Sequence, residues 1–439
     1  MPRFNCGEGG IRTPGSLRGY DSLANCWFQP LTHLSVFCGF DGCKDTAFSN
    51  TRNKNFQIFF DIFFHVKINK FDYLCENLND NEMKRLLSVL MIVSILLSTS
   101  CKNTKTSSAD DSPKNVVLMI GDGMGVAQVY SLLLVSENPT SFMRFPYSGY
   151  AITRSFSNEI TDSAAAGTAI ATGHKTRNHM VGMTADSVAV PSLLSLMSGR
   201  GKKTGVVVTC YASHATPAAF LAHNEDRNDY EEIAAEIANN EDLDVLFAGG
   251  KRHFNERKDN GDLLEVMRDS DWTVYDSLPQ VKGGEKRVAV IASRKHLPKA
   301  PDRGDFLPDA TRKALEILNN DDKGFFLVVE GSQIDMACHA NDSTYLIEEM
   351  KDFDRTINVV LDFAEKNPNT LVIVTADHET GGLTIIDPEG KYTKTEFKFS
   401  TRSHSPTFVP VFAFGPGAAN FSGIIDNSDI MGKILEIVK

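Results

Sequence analysis

Short apolar runs recur along the chain, and between them apolar residues return with the spacing of amphipathic helices. The runs at 115–120, 204–209, 245–248, 287–291, 325–329, 371–375 and 408–414 are too short for helices and mostly rich in Val, Ile, Leu and Phe. That pattern predicts strands buried on both faces. The stretches 125–135, 163–172, 191–198, 230–239, 309–319, 344–366 and 427–438 predict helices, with N-terminal signals at Asp229-Tyr230-Glu231-Glu232 and Ser428-Asp429. Strands alternating with helices predict an α/β fold, a mostly parallel central sheet with helices on both faces. The segments 250–286 and 298–308 are charged and read as irregular insertions, and no internal repeat is visible.

Residues 1–82 carry neither period for long, apart from an apolar burst near 59–64, and hold Cys6, Cys26, Cys38, Cys43 and Cys75. The stretch Gly9-Gly10-Ile11-Arg12-Thr13-Pro14-Gly15 resembles the peptide produced when a structural-RNA gene is read as protein. Residues 1–82 therefore read as a non-native leader from a misassigned start, with a cysteine-rich oxidised module as the alternative. Met83-Lys84-Arg85 opens a secretory signal, in which an apolar run at 86–97, too short for a permanent membrane span, ends in small residues and Cys101. Leu97-Ser98-Thr99-Ser100-Cys101 resembles a degenerate lipobox. The expectation is a signal peptide over 83–101 with a lipid on Cys101, ordinary signal-peptidase cleavage being the alternative. Residues 102–112 are polar and read as a tether, leaving 113–439 as the catalytic domain. This organisation implies an exported bacterial protein, periplasmic or membrane-anchored, that meets a membrane only through that lipid or not at all.

Composition changes the picture little. The chain has 439 residues, 42% hydrophobic and 23% charged, which is ordinary for a globular protein with one large core. A net charge of -11 argues against a nucleic-acid surface but leaves room for a local basic pocket. Cys210 and Cys338 are the cysteines of the folded part, and two free thiols are expected there in preference to one disulfide.

The candidate chemistry lies where the apolar runs end. Asp122 follows the first run in Gly121-Asp122-Gly123-Met124-Gly125, a strand-to-helix turn. Glu330, Asp335 and His339 follow 325–329, and Asp377-His378 follow 371–375. Ligands collect at the carboxyl ends of strands in α/β sheets, so acids and imidazoles arriving there together suggest a multi-metal centre. Asp335 and His339 stand four apart, which places them on one face of a helical turn, and Cys338 would point away from that face. His404 lies just before the run 408–414. Thr161-Asp162-Ser163-Ala164-Ala165 opens a small-residue helix whose N-terminus favours a phosphate or an alkoxide. With no His or Lys near Ser163 in sequence, metal coordination is the other route to an activated serine. His214-Ala215-Thr216-Pro217 follows the run 204–209, and Arg227 could clamp two phosphoryl oxygens. Each feature alone is more often structural: an N-cap, a surface histidine or a solvated arginine. Several of them in one order shift the balance.

That order resembles the alkaline phosphatase family along nearly all of 113–439. The matching blocks are Ile120-Gly121-Asp122-Gly123-Met124-Gly125, Thr161-Asp162-Ser163-Ala164-Ala165, Thr172-Gly173-His174-Lys175-Thr176 and His214-Ala215-Thr216-Pro217. Val329-Glu330-Gly331 with Ile334-Asp335 and His339, Thr375-Ala376-Asp377-His378, and His404 with Gly415-Pro416 continue it. The resemblance implies a three-layer sandwich and a phosphomonoesterase that works through a phosphoserine on Ser163. It implies a first zinc on Asp335, His339 and His404, and a second on Asp122, Asp377 and His378. It implies a third metal, usually magnesium, on Asp122, Thr216 and Glu330, with Arg227 binding phosphoryl oxygens and Asp162 orienting it.

Two residues depart from some relatives. His214 stands where enterobacterial relatives carry Asp, which leaves cobalt or zinc as alternatives to magnesium at the third position. Met336 stands where Lys, His or Trp is usual, and a thioether donates no hydrogen bond to phosphate. The segment between His378 and His404 is too short for the crown-like insertion of animal relatives, so a homodimer, if formed, lacks that contact. The expected substrates are small phosphomonoesters. A phosphodiesterase or other phosphate-transfer enzyme is the alternative within the superfamily, which Arg227 disfavours because a diester lacks the extra non-bridging charge. The absence of a Cys/Ser-x-Pro-x-Arg context argues against a sulfatase. A non-catalytic phosphate- or metal-binding lipoprotein is the alternative of another class, and retention of Ser163 with the ligand set argues against it.

Overall fold

A computed structural model describes residues 112–391 and 394–438. The leader, the signal and, apart from Ser112, the tether fall outside the described residues. The strands in chain order are β1 (Asn115–Gly121), β2 (Tyr147–Ile152), β3 (Lys203–Tyr211), β4 (Val245–Gly249), β5 (Trp272–Tyr275), β6 (Arg287–Ile291) and β7 (Phe325–Gly331). They continue as β8 (Thr370–Thr375), β9 (Glu379–Thr380), β10 (Leu383–Ile386), β11 (Glu396–Phe399), β12 (His404–Ser405), β13 (Val409–Phe414) and β14 (Gly423–Asp426). Ten of them form one sheet in the order β14-β2-β13-β8-β1-β7-β3-β4-β6-β5. Its neighbours pair in parallel except β13, which runs against both β8 and β2. This is the mostly parallel sheet expected from the sequence.

Every residue of β1, β7 and β8 is buried, so both faces of the sheet's middle are covered. The helices that matter for the site are α1 (Val126–Val135), α2 (Ser163–Thr172), α3 (Ala215–Leu221), α4 (Gln333–Ala340) and α5 (Ser343–Lys366). Helix α5 shows why such segments form. Asp342 caps it by accepting the Tyr345 N–H at 3.0 Å, and Leu346, Met350, Phe353, Ile357, Val360, Leu361 and Ala364 recur on one buried stripe. Burying each of those larger side chains contributes roughly 1.5–3 kcal/mol.

All the predicted strands and helices are present, and the structure adds others. Strand β2 escapes the apolar-run test because only Gly149 and Ala151 of its residues are buried. The segment 250–286, read as irregular, contains helices Arg252–Asn255 and Leu263–Asp269 and strand β5. Asp262 caps the second of these helices, and Phe254, Leu264, Met267 and Trp272 are buried, so its apolar face is real but too short to show as a period. The segment 298–308 likewise contains helix Ala300–Arg303 and the start of helix Phe306–Leu318. Hairpin β10–β11 occupies part of the stretch between His378 and His404.

Candidate metal centre

Sheet register brings the strand-end acids together. Ile120 of β1 is level with Glu330 of β7 on one side and with Thr375 of β8 on the other. Asp122, Glu330 and Asp377 therefore emerge at one edge, and all three are 0% exposed. The turn between β1 and α1 depends on Gly123, which sits at φ 72° and donates its N–H to Asp377 Oδ1 at 3.1 Å. A Cβ there would stand 2.8 Å from Thr380 Oγ1 and 2.9 Å from Asp335 Cα. Only glycine fits this close approach.

His404 is returned to the site by the two-residue pairing of β12 with β9, in which it lies opposite Thr380. Its ring stacks on that of His378 at 3.6 Å. The hydrogen bonds fix the tautomers. His404 Nδ1 meets the Thr161 carbonyl at 2.8 Å, and His339 Nδ1 meets the Arg402 carbonyl at 2.5 Å. A carbonyl only accepts, so both Nδ1 atoms carry the hydrogen, and Nε2 is the nitrogen of each ring turned to the site. Those Nε2 atoms lie 3.2 Å apart, at 3.7 Å and 3.3 Å from Asp335 Oδ1. Thr380 Oγ1 donates to Asp335 Oδ1 at 2.5 Å and so accepts from His378 Nδ1 at 3.1 Å. This leaves His378 Nε2 unprotonated, 3.2 Å from Asp377 Oδ2, 3.6 Å from Asp122 Oδ1 and 3.1 Å from Ser163 Oγ.

Lone pairs and carboxylate oxygens thus converge with too few donors among them. Both Asp122 oxygens, Asp377 Oδ2, Glu330 Oε1 and Thr216 Oγ1 are buried and make no hydrogen bond. Burial, then the neighbouring carboxylates of Asp377, Asp335 and Glu330, push the Asp122 carboxyl well above its usual range. Burial pushes Glu330 up to about 7 and holds the His378 imidazole well below its usual range, hence neutral. Neutral imidazoles and clustered carboxylates are the donor set of divalent cations, and cations at this edge would satisfy every orphaned oxygen. Asp335, His378 and His404 form one such group, Asp122, Asp377 and His378 a second, and Cys210, His214 and Glu330 a third. His378 therefore belongs to two groups, and His339 stands beside the first.

Ser163 opens α2 and is 2% exposed. Asp162 caps that helix, its Oδ1 accepting the Ala165 N–H at 3.0 Å. Its Oδ2 accepts the His179 N–H at 3.0 Å and a bond from Arg227 Nη1 at 3.1 Å. Arg227, with a side chain 15% exposed, is thus a fixed cation rather than a solvated loop charge. Met336 is half-buried on α4 and packs against the apolar core. Cys338 is buried outside all three groups, and both Cys210 and Cys338 are free thiols.

Sequence reasoning missed Thr380, which orients both His378 and Asp335, and Ser332, whose Oγ donates to Glu330 Oε2 at 2.7 Å. Both lie two residues beyond a named acid or imidazole, a signal the motif blocks pass over.

The chain is similar to known proteins. The family model "Alkaline phosphatase" matches residues 113–393. The chain belongs to the alkaline phosphatase family. Alkaline phosphatase 4 of Bacillus subtilis is 34% identical, over 81% of this chain and 97% of that protein. The alkaline phosphatase of Escherichia coli is 29% identical, over 74% of this chain and 86% of its own length. The solved alkaline phosphatase of the Antarctic bacterium TAB5 is 39% identical and superposes with a TM-score of 0.72, over 74% of this chain and 98% of that one. As a member of the alkaline phosphatase family the chain is a phosphoric monoester hydrolase, and the family's dependence on metal ions fits the candidate groups at the sheet edge.

Proposed function

We propose that this alkaline phosphatase hydrolyses small phosphomonoesters through a phosphoserine formed on Ser163, with 113–439 as its catalytic domain. The observation that carries the reading is Ser163 Oγ lying 3.1 Å from His378 Nε2, at the rim of the cluster of Asp122, Asp377 and His378. In this reading Asp335, His339 and His404 hold one zinc, Asp122, Asp377 and His378 a second, and Asp122, Thr216 and Glu330 a third cation. Bound cations would neutralise the phosphate dianion and lower the pKa of the attacking hydroxyl.

The chain supplies position and the remaining charge. Arg227, held by Asp162, donates two parallel hydrogen bonds to non-bridging phosphoryl oxygens. Its guanidinium meets the second negative charge that monoesters have and diesters lack. Ser163 Oγ attacks phosphorus in line, the Oγ–P bond forms, the ester P–O bond breaks and the alcohol departs with a proton. Water enters from the vacated side, takes the phosphoryl group and restores Ser163. Little covalent work falls to other side chains, as expected of phosphoryl transfer. Export is part of the proposal and rests on the basic and apolar pattern at 83–101, with the lipid on Cys101 as its finer form.

The test compares p-nitrophenyl phosphate with its bis-ester, with and without chelator. The expected result is a chelator-sensitive monoesterase that transfers labelled phosphate to Ser163, and whose Ser163→Ala variant keeps its fold and zinc but loses turnover by orders of magnitude. Faster turnover of the bis-ester, or label on another residue, would sink the reading.

A further inference from the structure

The side-chain cluster around Glu330 contains a metal-ligating group that the motif blocks do not assign. Cys210 lies near the end of β3, whose Val208 is level with Glu330 of β7. Its Sγ is 3.3 Å from Glu330 Oε2. That sulfur, a His214 ring nitrogen and a Glu330 oxygen all lie within 4.8 Å of one another. Glu330 is 0% exposed, its Oε1 makes no hydrogen bond, and the buried His214 Nδ1 makes none either. Tyr211 flanks His214 edge-on and stacks on His296 at 3.6 Å. A carboxylate oxygen and an imidazole nitrogen without partners, with a thiol sulfur beside them, are the donor types a cation takes.

We propose that Cys210, His214 and Glu330 form a soft-cation site, so that this cluster takes zinc or cobalt in preference to magnesium. The inference rests on the phosphatase reading above and deepens it at the third cation. Sulfur and imidazole donors suit zinc and cobalt, whereas magnesium prefers oxygen and keeps its waters. Binding exchanges a proton for a metal bond. Cys210 Sγ releases its hydrogen to solvent as the sulfur–metal bond forms, and nothing is oxidised. Glu330 Oε2 loses the thiol donor but keeps the Ser332 hydroxyl at 2.7 Å. Cys338, buried and outside the three groups, is the internal control.

Cobalt reports sulfur ligation directly. The unsubstituted enzyme, stripped and reloaded with cobalt(II), is expected to show a sulfur-to-cobalt charge-transfer band in the near ultraviolet, and Cys338→Ser to keep it. Cys210→Ser and Cys210→Ala are expected to lose it. With zinc and magnesium offered together, metal analysis should show zinc in the third position of the unsubstituted enzyme. In Cys210→Ser that ratio should move toward magnesium by about tenfold or more, the scale at which even outer partners of a metal act. An unsubstituted cobalt enzyme that cleaves p-nitrophenyl phosphate without a sulfur band overturns the inference and leaves the phosphatase reading standing, and this arm needs no variant to fold. A band that survives in a folded Cys210 variant overturns it as well. A chain that binds no metal and cleaves no monoester overturns the reading beneath it.

Discussion

Two sets of buried carboxylates occur in this fold, and they are satisfied in opposite ways. On α5, Glu349 and Asp352 are 2% and 0% exposed, yet each of their oxygens has a donor. Arg303 donates to Glu349 Oε1 at 3.0 Å, to Glu349 Oε2 at 2.5 Å and to Asp352 Oδ2 at 2.6 Å. The Ala300 N–H and Arg355 complete the shell. At the sheet edge Asp122, Glu330 and Asp377 are as deeply buried, and four of their six oxygens have no donor. Removing a charge from water costs several kcal/mol unless it is paired and hydrogen-bonded. The α5 pair is closed by the chain's own guanidinium; the sheet-edge set needs a cation from outside. Burial of acids alone therefore does not mark a metal centre. Burial without an internal partner does.

Removing the external cation is the most forceful way to break the contrast. Asp377→Asn should lower turnover on the order of a thousandfold, because one charged anchor of the metal is lost while the Oδ1 that accepts the Gly123 N–H is kept. In chelated protein the same change should leave stability unaltered or raise it, since it removes one of several mutually repelling carboxylates. Chelation of the parent should cost about 4 kcal/mol if the ion is held at a thousand times its Kd. Calorimetry with chelator, and then with added zinc, reads both effects. A melting temperature indifferent to chelator would mean that the sheet-edge acids are satisfied in some other way. At the other cluster, Arg303→Met should cost about 3–5 kcal/mol by stranding two buried carboxylates. Zinc should not restore it, but adding Glu349→Leu should recover part of the loss.

These two clusters were not equally legible in the sequence. The sheet-edge acids end fully buried strands, whose unbroken apolar runs advertise themselves, and Glu330 and Asp377 are placed by those runs alone. The fully buried strands of the sheet's middle were legible for the same reason. The α5 pair was not. Glu349 and Asp352 are three apart on a long helix and look like its solvent face, and their partner lies 46 residues from Glu349 in a segment that reads as irregular. Strand β2 stayed hidden because Tyr147, Tyr150 and Ile152 are exposed, leaving no apolar period to see. Arg227 and Asp162 were visible as residues, but their pairing across 65 positions was implied only by the family resemblance.

A smaller change tests how the sheet-edge cluster is kept ready. Thr380→Val keeps the shape but removes the hydroxyl that accepts from His378 Nδ1 and donates to Asp335 Oδ1. With the tautomer no longer fixed, zinc affinity should fall about 10–100-fold, the usual scale for losing a partner behind a metal ligand. Competition with a chromophoric chelator measures it. The melting temperature of the chelated protein should hardly change, which separates a lost orienting bond from a lost fold. Unchanged zinc affinity would show that ring stacking on His404 suffices to hold His378.

The mildest test gives the sheet edge a cation of its own, as Arg303 gives α5. Met336 follows Asp335 on α4 and is half-buried, so a lysine there can keep its stem against the core and send its ammonium toward the phosphate. The thioether it replaces offers no donor and no charge. An exposed ammonium is screened by water, so the gain should be about 1 kcal/mol or less. Phosphate should therefore inhibit Met336→Lys a few-fold more tightly than the parent, with zinc content unchanged. The difference should shrink as salt is added, because screening at about 0.15 M already acts over roughly 8 Å. Tighter inhibition that ignores salt would mean that the lysine acts by repacking α4. No change even at low salt would mean that its ammonium does not reach the anion, and that charge compensation at this edge comes from the bound ions and Arg227.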